Sequence, residues 1–221
     1  MDLSKKSHRE IVKVFHDRAH EYDGWFEESL VYKNELAALK DLHTALSGPK
    51  FEIGVGPGRF AGDLGVSFGL DPAEGPLRIA MTRGVSPCRA VGEALPLRDR
   101  CVSTLYILFT FCFLQDPGKV LKECCRVLKG KGHLVLGVIP NSSPWGQALL
   151  RKKEEGHPFY RHATFYSTDE VLGLLEESGL NVIESRSGLL HPPDMLKGLE
   201  NSIEGIHAQA GFVVMVASKK E

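Results

Sequence analysis

The sequence predicts a single α/β domain built on a mostly parallel β-sheet, and three observations predict it. Phe51 to Gly58, FEIGVGPG, reads as a buried strand running into a glycine-rich turn and then a helix, the unit from which parallel sheets are assembled. Downstream, short apolar runs alternate with segments of helical periodicity, as in chains that cross over between parallel strands. The 221 residues contain no internal repeat, low-complexity tract or linker, and that length suits one sizeable core.

Bulk composition narrows the function classes. A formal charge of -1 gives no net attraction to nucleic acid or anionic membrane. The opening MDLSKKSHRE lacks the apolar stretch of a signal peptide. The longest apolar run, Thr104 to Leu114, is shorter than the roughly 18 residues of a membrane span. Five cysteines (Cys88, Cys101, Cys112, Cys124, Cys125) form no C-x-x-C pair and no His-spaced ligand set. They read as reduced, small apolar side chains, so no metal is expected and the expected compartment is the cytoplasm.

Taken in order, Ser7 to Phe26 places Ile11, Val14, Phe15, Arg18, Ala19 and Tyr22 on one helical face, with His8, His16 and His20 on the charged side. Tyr32 to Leu46 is a second amphipathic helix through Leu36, Leu39, Leu42 and Leu46, ended by Ser47-Gly48-Pro49. The first strand carries Glu52, and its turn carries Gly54, Gly56 and Gly58. Glycines belong where a ligand must come against the main chain. Their G-x-G-x-G spacing differs from the G-x-G-x-x-G of a dinucleotide site. A carboxylate beside the turn would repel a pyrophosphate and attract an ammonium group. The combination suits S-adenosylmethionine (SAM), an adenosyl amino acid with a sulfonium and no phosphate, and disfavours NAD.

A short helix, Arg59 to Leu64, leads to a strand, Val66 to Leu70, that ends at Asp71. An acid at that tip can accept both ribose hydroxyls of an adenosine; Asp71-Pro72 also has the form of a helix N-cap followed by proline. Pro72, with Pro76 and Leu77, would set apolar surface against the adenine. A helix from Leu77 to Arg83 stops at Gly84, and Ser86 to Ala90 reads as the third strand. Cys101 to Phe109 is apolar enough to be central in the sheet. Asp116-Pro117 opens a helix to Leu128, Lys129 to Gly132 is a tight turn, and HLVLGVI is the fifth strand. Asn141 to Thr164 departs from this rhythm. Its charge, aromatics and imidazoles suit a lid over a cleft, with His157, Tyr160, Arg161 and His162 as the polar cluster able to face a substrate. A capped helix to Glu177 follows, then strands at Asn181 to Arg186 and Gly211 to Ala217 separated by a long connection.

Glu52-x-Gly-x-Gly-x-Gly, the acid Asp71 and Glu93-Ala94-Leu95-Pro96 together resemble the class I SAM-dependent methyltransferases, in the small-molecule branch that includes the ubiquinone and menaquinone biosynthesis enzymes. The likeness runs from about Phe15 to the C-terminus. It implies a Rossmann-like, seven-stranded, mostly parallel sheet with helices on both faces and an antiparallel C-terminal strand. It also implies a helical cap over residues 1–46, a SAM-binding core over 50–140, a lid over 141–164 and the rest of the sheet over 165–221. The string from Phe15 to Phe26 resembles that branch's cap, which implies Tyr22 near the methionine end of SAM and Phe15, Trp25 and Phe26 as walls.

Within the likeness there are departures. Where the family has D-A-E-x-L-P, this chain has Val91 and Gly92 before Glu93. The resemblance then leaves Gly92 a backbone contact to adenine, removes the side-chain acceptor, and lets Glu93 substitute or cap the next turn. Cys112 and Phe113 stand where the family usually has one or two histidines, leaving an apolar rim from Leu108, itself a candidate cofactor contact, to Leu114. The activity implied is methyl transfer to a small-molecule acceptor. Proximity can supply roughly 7–11 kcal/mol of such a barrier, and a base is needed only for a neutral oxygen or unactivated carbon. His157, His162 and Tyr160 are the candidates for that role. A SAM- or S-adenosylhomocysteine-binding protein without turnover is the alternative. The chain has no [ND]-P-P-[YFW] tetrapeptide after the fourth strand and no basic stripe, so a nucleic-acid acceptor is not expected.

Overall fold

The computed structural model describes residues 3–220, so Met1, Asp2 and Glu221 of the expected domain lie outside the described residues. Eight strands form one sheet: β1 (Lys50–Ile53), β2 (Phe68–Asp71), β3 (Ser86–Arg89), β4 (Val102–Leu108), β5 (Leu128–Val138), β6 (Leu180–Gly188), β7 (Ile203–Glu204) and β8 (Phe212–Lys219). Their spatial order is β3-β2-β1-β4-β5-β8-β6-β7. Pairings from β3 through β5 are parallel, and β8 inserts antiparallel between β5 and β6. The eighth strand, β7, exceeds the expected count; it is two residues of the long connection laid against Arg186 and Ser187.

Alternation in the central strands fixes what covers each face. Leu105 and Ile107 of β4, Leu134 and Leu136 of β5, and Val213 and Met215 of β8 join one buried cluster, against α6 (Pro117–Val127) and α8 (Thr168–Glu177). Tyr106 and Leu108, Val135, Val214 and Val216 face the other way, towards α3 (Leu30–Lys40), α4 (Arg59–Leu64) and α5 (Glu74–Thr82). Outside these layers lie α1 (Leu3–Asp17), α2 (Ala19–Gly24) and α7 (Pro144–Glu154), and a 3-10 turn at Phe111–Phe113 follows β4. Among the described residues no helix is long and apolar enough to cross a membrane.

Several expected boundaries move, each for a local reason. The first helix breaks at Arg18, whose φ of -114° and ψ of 27° separate α1 from α2. The second stops at Lys40 rather than Leu46. The N–H groups of His43 and Thr44 donate instead to the Glu184 carboxylate of β6, at 2.6 and 2.7 Å. The turn expected at Lys129 to Gly132 lies within β5 as an excursion: Val102 pairs with Leu128, and Thr104 next pairs with His133.

Candidate functional site

Strand order reverses between β1 and β4, and the crevice outside their carboxyl ends is where open α/β sheets bind ligands. Gly54 and Gly56 shape it, with φ of 72° and 51°. A Cβ on Gly54 would lie 2.2 Å from Thr110 Oγ1, and that hydroxyl donates to the Gly54 carbonyl at 3.1 Å. A Cβ on Gly56 would meet nothing closer than Tyr22 Cε1 at 3.8 Å, so that backbone is open to a ligand. Asp71 closes the floor: Oδ2 accepts from Gly56 N–H at 3.2 Å and Oδ1 from Ala73 N–H at 2.8 Å. It does not cap α5, whose N-cap is Ala73. Burial pushes the Asp71 carboxyl up to about 6, with the two backbone donors pulling it down.

These groups line a narrow cleft of about 80 Å³, with Pro72, Val91, Gly92 and Glu93 on one side and His8, Phe15 and Tyr22 of the cap on the other. Glu93 Oε1 accepts from the N–H groups of Gln115 and Asp116 at 3.1 and 3.4 Å, tying down the segment after the 3-10 turn. Other expected contacts stand elsewhere. Gly58 is the N-cap of α4 and faces Ala80. Leu108 is buried in the cluster with Val55 and Phe212 and lines no cleft, because alternation turns it to the α3 face. Pro76 and Leu77 are buried within α5. Glu52 lies behind the turn, 2% exposed, with Oε2 lacking a hydrogen-bond partner. Burial, then the neighbouring Asp71, holds its carboxyl well above the usual range. His8, placed on a charged face by its sequence, instead lines the cleft with a buried Nδ1 that has no partner among the described residues.

A second cavity, about 410 Å³, adjoins the first and shares Phe15, Tyr22, Phe109 and Phe113 with it. Its volume is that of a small-molecule site, and its walls are chiefly aromatic: Trp25, Phe26 and Tyr32 from the cap, Trp145, Tyr160 and Phe165 from beyond β5. Part of its wall comes from the 141–164 segment, through Trp145, Leu149, Phe159 and Tyr160. Phe159, 2% exposed, wedges against Phe15, Trp25 and Tyr22 with centroids 5.1, 4.8 and 5.7 Å away. Phe109 takes a φ of 58° and stacks between Phe60 and Phe212, 5.1 Å from each. Left-handed backbone at an aromatic residue costs energy and gathers at ligand sites.

The cap is pinned from below. The Asp23 carboxylate accepts from Arg59 Nε at 2.7 Å and Arg83 Nη2 at 2.9 Å, while Arg83 Nη1 donates to the Pro57 carbonyl of the glycine turn at 2.6 Å. Burial works to raise the Asp23 carboxyl, but the arginine hydrogen bonds outweigh it and hold it below its usual value.

Of the polar cluster expected on the lid, Tyr160 lines the cavity and the others do not. His157 stacks on Tyr160, centroids 5.0 Å apart. His162 Nε2 sits 2.9 Å from Glu10 Oε2 of α1, within ion-pair distance but not aligned as a hydrogen bond. Arg161 reaches towards the same carboxylate at 3.9 Å. Neither imidazole expected as a base borders the cavity: His162 lies against Glu10 and His157 against Tyr160. The cavity's acid is one the sequence reading passed over, Glu35 of α3, 5% exposed. It lies three residues after Tyr32 and four before Leu39, on that helix's buried face, which is the signal that marks it.

The cleft's free groups fit an adenosyl amino acid: an acid at the second strand tip, open backbone at Gly56, and a polar atom on His8 unpartnered among the described residues. Comparison with known proteins agrees. Residues 51–136 match the family model of a methyltransferase domain. The chain is 34% identical to the crystal structure of a SAM-dependent methyltransferase of Thermotoga maritima, described as a possible histamine N-methyltransferase. That match covers 95% of this chain and 100% of that one, with a TM-score of 0.88. An uncharacterised protein of Mycobacterium tuberculosis is 40% identical over 200 residues, 89% of this chain and 70% of that protein. The demethylmenaquinone methyltransferase of Thermotoga maritima is 41% identical over 135 residues, 52% of this chain and 59% of that enzyme.

Proposed function

Because the chain belongs to the class I SAM-dependent methyltransferases, we propose that it methylates a small molecule held in the aromatic cavity beside the glycine turn. SAM supplies a methyl group on a good leaving group, neutral once the methyl has gone. The observation that carries the reading is the shared wall: Phe15, Tyr22, Phe109 and Phe113 border both spaces, so a donor in one lies against an acceptor in the other.

In this reading Asp71 accepts the ribose hydroxyls, Gly56 lets the main chain approach, and Gly92 with Pro72 borders the adenine. Glu52 backs the turn from inside the fold, and Tyr22 stands at the junction. The lid and Phe159 exclude water, so positioning supplies most of the rate. A concave, aromatic cavity of this size supports a small acceptor over a macromolecular one. Five free cysteines support a reducing, cytoplasmic setting.

The test is transfer of radiolabelled methyl from SAM into a fractionated cell extract. The expected result is label in the low-mass fraction with the wild type and none with Asp71→Ala. Label confined to protein or nucleic acid contradicts the small acceptor. Binding of S-adenosylhomocysteine without any transfer favours a non-catalytic binding protein.

A further inference from the structure

The aromatic cavity contains one carboxyl among its walls, and that pairing has a chemical meaning. Glu35 is 95% buried, from an exposure of 5%, and lines the cavity. Among the described residues its carboxyl makes no hydrogen bond or ion pair, and burial alone holds it well above the usual range. A buried acid without a partner is costly; unpaired ones gather at sites where a ligand completes them. Its position is also fixed. The neighbouring Asn34 ties α3 to the loop after β6, donating to Gly198 O at 3.0 Å and accepting from Glu200 N–H at 2.7 Å. Tyr22 and Tyr160, both cavity residues, feel the Glu35 charge, and Tyr22 also feels Asp71. Glu35 is thus on the acceptor side of the residue that separates the two spaces.

We infer that the methyl acceptor is an apolar compound bearing a basic amine, with the Glu35 carboxylate as its counter-ion and proton acceptor. This rests on the methyltransferase reading above and deepens it. Aromatic faces attract a cation, and a buried carboxylate gives it a partner; a neutral alcohol would gain neither. Other titratable groups lining the cavity do not supply the charge. Tyr22, Tyr32, Tyr160, Tyr166 and Cys112 are all held neutral by burial, and Lys152 is exposed at the wall, where water solvates its ammonium.

The chemistry balances. The Glu35 carboxylate takes a proton from the bound ammonium. The freed nitrogen lone pair forms the N–C bond as the bond from that methyl carbon to sulfur breaks, its electron pair remaining on sulfur. The product leaves as the N-methylated ammonium, and the proton reaches solvent from Glu35.

The experiment is calorimetry on the protein saturated with S-adenosylhomocysteine, titrated with benzylamine, phenethylamine and tryptamine and with the alcohol matching each. At least one amine is expected to bind tenfold or more tighter than its alcohol. It should release about one proton on binding, read from buffers of different ionisation enthalpy, because neutral Glu35 ionises to receive it. Glu35→Gln should bring amine and alcohol within twofold of each other. Should that variant not fold, the wild-type preference and proton release decide alone. No amine preference, no proton release, or an unchanged preference in Glu35→Gln overturns the inference. If S-adenosylhomocysteine itself gives no heat, the methyltransferase reading falls with it; heat from that ligand without an amine preference overturns this inference only.

Discussion

Asp71 shows how one side chain sets a condition on function. Its carboxyl sits near 6 because burial opposes ionisation more than two N–H donors favour it. To accept two ribose hydroxyls it must be ionised, so the protein has to shed a proton to bind below that value. Affinity for S-adenosylhomocysteine should be level above pH 7 and fall about tenfold per unit below about 6, measured by calorimetry from pH 5 to 8. Asp71→Asn should bind weakly and lose that slope; a slope that persists assigns it to another group. His8 makes a smaller claim. Its unpartnered Nδ1 lies beside Val91 in the cleft, where one hydrogen bond to ligand is worth about 1 kcal/mol. His8→Ala should weaken S-adenosylhomocysteine about fivefold, and unchanged affinity would assign the ring to packing. What sequence could reveal at this scale depended on adjacency. Gly54, Gly56 and Asp71 were legible because their chemistry is written in neighbouring residues. Glu35 and His8 were not, because only the direction of a helical face distinguishes them from solvated charges. His157 and His162 were chosen by residue type, and packing turns one against Tyr160 and the other against Glu10 of α1.

At the scale of elements, the cap has to be held in place for the cleft to exist, and two features hold it. Asp23 joins α2 to Arg59 and Arg83, and through Arg83 to the glycine turn. Leaving two half-buried guanidinium groups without their partner costs about 3 kcal/mol. Asp23→Ala should lower the urea midpoint accordingly and weaken S-adenosylhomocysteine as well. Since the folded carboxyl titrates below its ordinary value, its contribution is complete above that value and is lost as the pH falls through the folded one. The second feature is close approach of α1 to α5. Gly75 N–H donates to His16 Nδ1 at 3.1 Å, and a Cβ on Gly75 would lie 2.3 Å from the His16 carbonyl. Helix propensity predicts a gain of up to about 1 kcal/mol for Gly75→Ala. The contact predicts the reverse, a lower midpoint and weaker ligand binding, and a raised midpoint would contradict it. Strand cores and the Asp116 and Ser167 helix starts were readable from local pattern and capping chemistry. The end of α3 was not, because Glu184, which takes its next N–H groups, lies 140 residues away from Thr44.

For the whole molecule, a buried sheet supplies the rigid edge, and residues from the N-terminal helices and from the segment after β5 border the site above it. The mostly parallel sheet was foreseeable from the alternation of strands and helices and its antiparallel last strand from the family resemblance, whereas the two-residue β7 is too short for any periodic signal. The pairing of a narrow cleft with a larger aromatic cavity was not, since Trp25, Trp145 and Phe165 meet only after the lid folds back on the cap. That pairing is the central claim, and a crystal structure with S-adenosylhomocysteine tests it most directly. The account predicts ligand density against Gly56 and Asp71, with its sulfur directed past Tyr22 towards Glu35. Density confined to the aromatic cavity, or a ligand whose ribose lies away from Asp71, would contradict it.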